Sequence, residues 1–495
     1  MRNKIVSRLT VASLIGVGVV ALAFACDNTT PAPTPPADMT VKPADLTEIP
    51  DLTMFNPPVV TSVAPSNGIN NATTNITITG TDFRAGATVT VGGTACANVV
   101  VVSPTSITCT VAAKATTCAS EDIVVTHPDD GKMGTGAKLF TYRTSAVGWA
   151  TGSPVNYPTG AFPRRVIVAD FNGDGKLDLA SANQVGNNVT LKLGAGNGTF
   201  PVAGSVNIPN GGGATTLNNL VAGDWNGDTK LDLAVVNGTN NATIFLNMGA
   251  SFTTTVVNTG ISGGSIAAGD VNGDNKLDLI VGGNSTNVVP LIGNGTGGFA
   301  MGTLRAAPGT NVGVALADMN ADGKLDLITA NQSTNNASIY IGNGAGTFGN
   351  PTSVAVGTAP TSVVIRDVNG DKKMDVVVGN NVSMNTSVLI GNGAGGMAAA
   401  VNQTLGTNRP ETIAVADINN DGWFDIVTSN APQNNWSYLQ ASGATGTQYA
   451  PQVATASGTT PAGVAVADLN GDGLQDVVIA SAGSNNVQVS LQVCK

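Results

Sequence analysis

From residue 147 onward, short apolar runs alternate with turns rich in Gly, Asn and Asp, in an order that keeps returning. A run such as Val166-Ile-Val-Ala169 or Ile413-Ala-Val-Ala416 leads into an Asp-rich loop. A second run follows (Leu179-Ala-Ser-Ala182, Ile280-Val-Gly-Gly283, Val376-Val-Val-Gly379), then an Asn-rich turn and a third run, as in Asn188 to Leu193 or Ser338 to Ile341. A glycine loop with an aromatic precedes the fourth: Gly194 to Phe200, Gly293 to Phe299, Gly342 to Phe348. The runs have strand length and no helical period. Four short strands in each of seven units predict an all-β, seven-bladed β-propeller over 147–495. The last unit stops at Val487 to Gln492, after its third strand, while Val147 to Tyr157 reads as an orphan strand before the first loop. The surplus at one end matches the deficit at the other, so the pattern predicts a ring closed without an open edge.

Upstream the pattern changes. Residues 59–143 hold close-spaced alternating runs, among them Ile76 to Phe83, Ala87 to Gly93, Ile107 to Val111, Ile123 to Thr126 and Lys138 to Tyr142. They predict a β-sandwich of immunoglobulin-like size. Its Thr126-His-Pro-Asp-Asp-Gly131 reads as a turn, which places His127, the single histidine, on the surface. Residues 26–58 are rich in Pro and Thr and poor in apolar groups, so they read as a disordered spacer. Residues 1–25 read as an export signal: Arg2, Lys4 and Arg8 precede an apolar run from Val11 to Phe24, too short for a comfortable membrane span.

The Asp-rich loop carries the candidate chemistry. It begins at Asp170 and returns at Asp224, Asp270, Asp318, Asp367, Asp417 and Asp468, at intervals of 54, 46, 48, 49, 50 and 51 residues. All seven copies keep Asp at position 1, Asn at 3, Asp at 5 and Asp at 9. In the EF-hand, oxygen ligands come from positions 1, 3, 5, 7 and 9, with Gly at 6 for the turn. Three carboxylates and an amide so close together repel one another unless a hard cation holds them. A solvated Asx-turn is the plainer reading of any one copy. Seven copies in one register favour calcium. Position 6 is Gly175, Gly323, Gly422 or Gly473 in four loops and Asn275 in another, but Thr229 and Lys372 suit positive φ poorly, so the second and fifth sites are expected to be weakest.

Charge fits that reading. The chain carries −10, and removal of the three basic residues of the signal gives −13. The seven loops supply 21 of the 32 acidic residues, and seven calcium ions would add +14. Lys and Arg are thinly scattered, with no basic stripe for nucleic acid.

Three resemblances follow from the quoted residues. Leu22-Ala-Phe-Ala-Cys26 resembles the lipobox of bacterial lipoproteins, which implies lipidation of Cys26 and anchorage of an exported protein at the cell surface or in the periplasm. Ala23 departs from the usual Leu, and ordinary cleavage after Ala25 stands beside that reading. Residues 59–143, with Ile78-Thr-Gly-Thr-Asp-Phe83 and Ser106-Ile-Thr-Cys-Thr-Val111, resemble the IPT/TIG immunoglobulin-like family. That likeness implies a disulfide between Cys96 and Cys109. It leaves Cys118 and Cys494 either paired with each other or as free thiols. The seven units resemble FG-GAP or VCBS repeats of bacterial surface proteins and integrin α-subunits, whose loops bind structural calcium on one face while partners often engage the other. By that resemblance position 1 ligands are Asp170, Asp224, Asp270, Asp318, Asp367, Asp417 and Asp468. Position 3 supplies Asn172, Asn226, Asn272, Asn320, Asn369, Asn419 and Asn470, and position 5 supplies Asp174, Asp228, Asp274, Asp322, Asp371, Asp421 and Asp472. Carbonyls come from Lys176, Lys230, Lys276, Lys324, Lys373, Trp423 and Leu474, and position 9 gives Asp178, Asp232, Asp278, Asp326, Asp375, Asp425 and Asp476. The aromatic of the glycine loop becomes Met397 in the fifth unit, and Tyr449 is its candidate replacement in the sixth.

The organisation implies a monomeric, calcium-stabilised, membrane-tethered binding or adhesion protein with an unidentified surface protein or polysaccharide as ligand. A lectin is the alternative, but aromatics are only 4% of the chain, and Trp149, Trp225, Trp423 and Trp436 read as blade packing. A polysaccharide lyase or hydrolase is the third class. With one histidine and no H-E-x-x-H motif, no catalytic set assembles from the sequence.

Overall fold

The computed structural model describes residues 56–493 apart from 115–119, 144–147, 150–153, 204, 212–215, 250 and 444. The signal, Cys26, nearly all of the spacer, Cys118 and Cys494 lie outside the described residues. The described chain is all-β, its only helices being the single 3₁₀ turns Ala431–Gln433 and Ala482–Ser484.

Two sheets face each other over residues 59–143. One orders Val59–Ala64, Thr74–Thr81, Ser106–Val111 and Ala97–Ser103; the other orders Asn67–Ile69, Met133–Arg143, Ser120–Thr126, Thr88–Val91 and Thr94–Ala95. Alternation does the sorting. In Thr74–Thr81 every second side chain is buried, and Ile78 meets Ile107, Ile123, Val125 and Phe140 in a fully buried core. His127 corrects the sequence expectation. It is 1% exposed, its backbone N–H donates to the Lys132 carbonyl, and its imidazole folds inward so that Nε2 donates to the Asp82 carbonyl at 2.7 Å. The hydrogen bond to that carbonyl satisfies the imidazole as it is buried, which outweighs the exposure that the turn composition suggested.

Each repeat forms an antiparallel sheet of four strands, except that in the third the outer strand is split into Phe299–Met301 and Arg305–Ala306. In the first, Pro163–Ala169, Asp178–Asn183, Asn188–Lys192 and Val206–Pro209 pair in sequence order. The second strand is buried on both faces in all seven sheets because neighbouring sheets cover it, which explains why its sequence is a near-continuous apolar run. The seventh sheet takes Pro461–Ala467, Asp476–Ser481 and Asn486–Ser490 from the C-terminus and Val155–Pro158 from before the first loop. Gly148–Trp149 also pairs with Gln492–Val493.

The first strand of each sheet touches that of the next, and Pro461–Ala467 touches Pro163–Ala169 in turn. At that last junction the backbones come so close that a Cβ on Gly463 would sit 2.9 Å from the Arg164 carbonyl oxygen, and Arg165 Nη1 donates to the Ala462 carbonyl at 2.8 Å. All seven first strands line one axial cavity of about 190 Å³.

Buried amides pin the hairpins from within. Asn183, Asn331, Asn380 and Asn430 each donate to the Asn five residues on (Asn188, Asn336, Asn385, Asn435; 2.7–2.9 Å) and to a hydroxyl at 2.8 Å. The fourth-strand entry also keeps its register: Met397 and Tyr449 bridge Gly391 and Ala441 as Phe348 bridges Gly342.

Strand Val155–Pro158 covers an edge that would otherwise present unpaired N–H and C=O groups. A chain beginning at residue 161 should therefore melt at a lower temperature than one beginning at residue 154, and should self-associate in size-exclusion chromatography. Equal melting temperatures would mean that the seventh sheet does not need this strand.

Candidate metal centres

Each Asp loop is the hairpin between the first and second strands of a sheet. Ala169 pairs with Asp178 in the first, and the same register recurs through Ala467 with Asp476 in the seventh. Position 9 is thus the first residue of a buried strand, and its carboxylate is wholly inaccessible in every copy.

That carboxylate is a staple. Its Oδ2 accepts the N–H of position 2, Phe171 to Asp178 at 2.9 Å and likewise Trp225, Val271, Met319, Val368, Ile418 and Leu469 at 2.9–3.0 Å. Its Oδ1 accepts an N–H from the far end of the third strand: Gly194, Asn247, Gly293, Gly342, Gly391, Ala441 or Gln492, at 2.7–2.8 Å. The carboxylate therefore ties loop, second strand and third strand together, a role the ligand spacing did not suggest.

Position 2 extends the tie sideways. Its side chain is buried in every copy, and in four its carbonyl accepts a backbone N–H from a neighbouring sheet's glycine loop. These bonds are Gly198 to Leu469, Gly297 to Trp225, Gly346 to Val271 and Gly395 to Met319, at 2.9–3.1 Å. In the first sheet the Phe171 carbonyl takes Asn247 Nδ2 instead, at 2.8 Å.

The outer half of each loop bonds to itself. The position 1 carboxylate accepts the N–H of position 5 through Oδ1 and of position 6 through Oδ2, as Asp170 does from Asp174 at 3.2 Å and Gly175 at 2.7 Å. Asn172 Oδ1 accepts from Asp174, and Asp174 Oδ1 from Lys176, both at 2.9 Å. Such bonds require positive φ at position 6, which is +80° at Gly175, +70° at Thr229 and +65° at Lys372. The second and fifth loops thus adopt the conformation of the glycine loops despite their side chains.

Among the described residues, no three His, Cys, Asp or Glu side chains are gathered into one metal cage. The predicted ligands of each loop line a single turn, but they face its N–H groups. Their chemistry still fits a hard cation. Every donor is an oxygen, and a carboxylate oxygen holding one N–H retains a second lone pair. Burial, helped by the carboxylates at positions 1 and 5, raises the pKa of Asp178, Asp232, Asp278, Asp326 and Asp375. The same causes push Asp476 to about 7. Burial also takes Asp417 to about 6.

The loops divide into two kinds. In the first five, the position 7 lysine reaches back to the position 5 carboxylate, at 2.9 Å in Lys230–Asp228 and 3.8 Å in Lys324–Asp322. These are surface pairs and individually weak. The sixth and seventh loops have Trp423 and Leu474 there, and position 5 accepts an amide from Asn419 or Asn470 instead, each at 3.0 Å. Those two loops keep three carboxylates without a cationic side chain, and they contain the two carboxyls pushed highest among the values given above.

The FG-GAP-like repeat family matches residues 170–235, 224–281, 270–329, 318–378, 367–428 and 417–479, each match spanning two successive Asp loops. The chain belongs to this family. Its residues 58–142 match the IPT/TIG domain. No curated protein matches the chain. Among solved structures, an auxiliary nutrient binding protein from Bacteroides thetaiotaomicron VPI-5482 is 13% identical, covering 88% of this chain and 98% of its own, with a TM-score of 0.40. BBS1N in complex with ARL6DN is 13% identical over 71% of this chain and 98% of its own, at 0.49. A functionally unknown protein from Desulfotomaculum acetoxidans DSM 771 is 10% identical over 73% and 96%, at 0.44.

In the IPT/TIG domain, Cys96 and Cys109 are free thiols that hydrogen-bond to each other, and this contact with burial drives the Cys109 thiol upward. Trp225 and Trp436 are buried in the sheet packing, as expected, whereas Trp423 is half-exposed beside a cavity.

Two predictions follow from the loops. Lys372 adopts a φ that glycine takes without a Cβ penalty, so Lys372→Gly should raise stability by about 1 kcal/mol in chemical denaturation, net of the unfolded-state entropy it adds. No gain would mean that the loop carries no strain there. For pH, the folded carboxyls hold protons more tightly than an unfolded Asp at about 4. Metal-free protein should therefore lose stability as pH rises from about 4 through 6 to 7, the range of Asp417 and Asp476. Calorimetry in chelator across that range checks the sign, and a melting temperature that climbs instead refutes it.

Proposed function

We propose that this protein is a non-enzymatic, calcium-stabilised binding protein, exported and tethered to a membrane by lipid on Cys26. The seven sheets make a closed seven-bladed propeller, and the IPT/TIG domain and spacer hold it away from the anchor. Calcium sits in each Asp loop, with oxygens from positions 1, 3, 5 and 9 and the carbonyl of position 7. It supplies charge neutralisation there and no reaction.

One observation carries the reading. The same self-bonded loop recurs seven times, each with a carboxylate whose proton affinity is raised by burial and, further, by repulsion from its loop neighbours. A divalent cation removes that repulsion and binds the folded state alone, so it stabilises by mass action. The sixth and seventh loops, without a lysine, are the tightest sites.

Cys96 and Cys109 form a disulfide once the protein is exported, because their thiols already touch and the compartment is oxidising. Adhesion to a surface protein or polysaccharide through the loop-rich faces is the use to which the ring is put.

The test is isothermal titration of calcium into the mature protein, with melting followed in parallel. Several sites should bind calcium. The melting temperature should fall in chelator by several degrees, consistent with roughly 3 kcal/mol or more of linked stabilisation at saturating metal. Asp476→Asn should remove one of the tighter sites. A protein that melts identically in calcium and in chelator is not calcium-stabilised.

A further inference from the structure

The repeat supplies its own controls, because each position has counterparts in the other sheets. The residue before position 1 is Ala or Gly in six copies and Arg366 in the fifth. Position 7 is Lys in five copies, Leu474 in the seventh and Trp423 in the sixth. Position 8 is Leu in four, Gln475 in the seventh, Met374 in the fifth and Phe424 in the sixth. Drift would scatter such departures around the ring. Arg366, Met374, Trp423 and Phe424 instead line one cavity of about 500 Å³ on the Asp-loop side of the fifth and sixth sheets, with Asp367 at its wall.

Packing does not account for them all. Phe424 lies against the local core, but Trp423 belongs to none of the buried clusters, unlike Trp225 and Trp436. Its ring reaches the turn of the fifth loop, where a Cβ on Gly370 would lie 3.5 Å from Cζ3. The exposed Arg366 guanidinium stands 4.8 Å from the centre of the Phe424 ring, a cation–π contact that fixes its position at the mouth. The cavity thus has aromatic and apolar walls with a few oriented polar groups, in the range of about 300–1,000 Å³ typical of small-molecule sites.

We infer that this cavity is a carbohydrate site that takes a pyranose ring, its C–H face on Trp423 and its hydroxyls toward Arg366 and Asp367. An aromatic platform beside a forked donor and a carboxylate acceptor suits a ring that is apolar on its face and polar around its edge. The inference deepens the binding-protein reading above and names the ligand class of that function. It places the ligand on the calcium face, where the family resemblance puts the metals rather than the partners.

The experiment is titration calorimetry on the mature protein in calcium, against oligosaccharides of neutral hexoses, of N-acetylhexosamines and of uronic acids, with a proline-rich peptide as the competing aromatic-groove ligand. One sugar class should bind once per chain. R366A and F424L, which restore residues common in the other sheets, should each weaken it by about tenfold. W423K should abolish it. R366A should leave the melting temperature unchanged, so a loss of binding there is not a loss of fold. The inference is overturned if no sugar binds, if the variants bind as the wild type does, or if only the peptide binds. Calcium titration of the same samples separates the two readings. Sugar binding lost in R366A, in a protein indifferent to chelator, upholds the site and removes calcium; calcium binding without sugar binding does the reverse.

Discussion

Seven buried carboxylates, each accepting two backbone N–H groups, are the constraint on which the seven sheets depend. Each position 9 Asp sits where a loop becomes a fully buried strand, and a carboxylate there is costly unless its oxygens are satisfied. The two bonds supply that satisfaction and also set the geometry. One fixes the loop entry at position 2, whose carbonyl in five copies then holds a neighbouring sheet; the other fixes the end of the third strand. Asn at this place could satisfy only one of the two donors with its oxygen. That is a reason for Asp here apart from any metal.

The same arrangement creates an electrostatic debt. Positions 1 and 5 add two more carboxylates around a buried one, and the loop's own N–H groups absorb part of the charge by bonding to every side-chain oxygen type in the turn. Lysine at position 7 absorbs a little more in five loops, but its exposure keeps that contribution small. Burial, with what remains of that charge, raises the proton affinity of the position 9 groups. A proton or a cation can meet it, and at neutral pH only the cation does so without giving up the acceptor chemistry of the staple.

Much of this was legible in the sequence. The fifty-residue period, the four runs per unit and the displaced strand at Val155–Pro158 are visible because strand pairing repeats the same apolar and turn positions each time. The replacement of the glycine-loop aromatic by Tyr449 was also readable, since the register around it is kept. Other features were not, for physical reasons. Position 9 as a staple needs the N–H of Gly194 or Gln492, sixteen residues away, and no local pattern announces that bond. The Asn183 class of buried amides does recur at a fixed offset from the first Asp, a signal hidden by the general abundance of Asn in turns. His127 was misplaced because composition describes a turn but not which carbonyl its imidazole will meet. Thr229 and Lys372 looked unfit for position 6, yet the five or six hydrogen bonds of the loop outweigh one residue's preference.

A series of near-identical sheets separates two kinds of sequence constraint. Residues that serve the loop must recur in every sheet, because each sheet buries the same carboxylate against the same two donors. Residues that serve a single ligand need occur only once, and they stand out against the recurring ones. Trp423 has that character: its side chain departs from the repeat at a position that the loop's backbone bonds leave free, and at one junction it meets Arg366 and Phe424, which depart at two positions that pack against the core in other sheets. Trp225, by contrast, replaces another apolar residue at position 2, keeps the staple bond to Asp232 and disappears into the packing. The difference between the two tryptophans is therefore whether the repeat has already assigned the position a structural task. Where it has, a large aromatic is absorbed as core; where it has not, the side chain is free to meet something other than the sheets themselves.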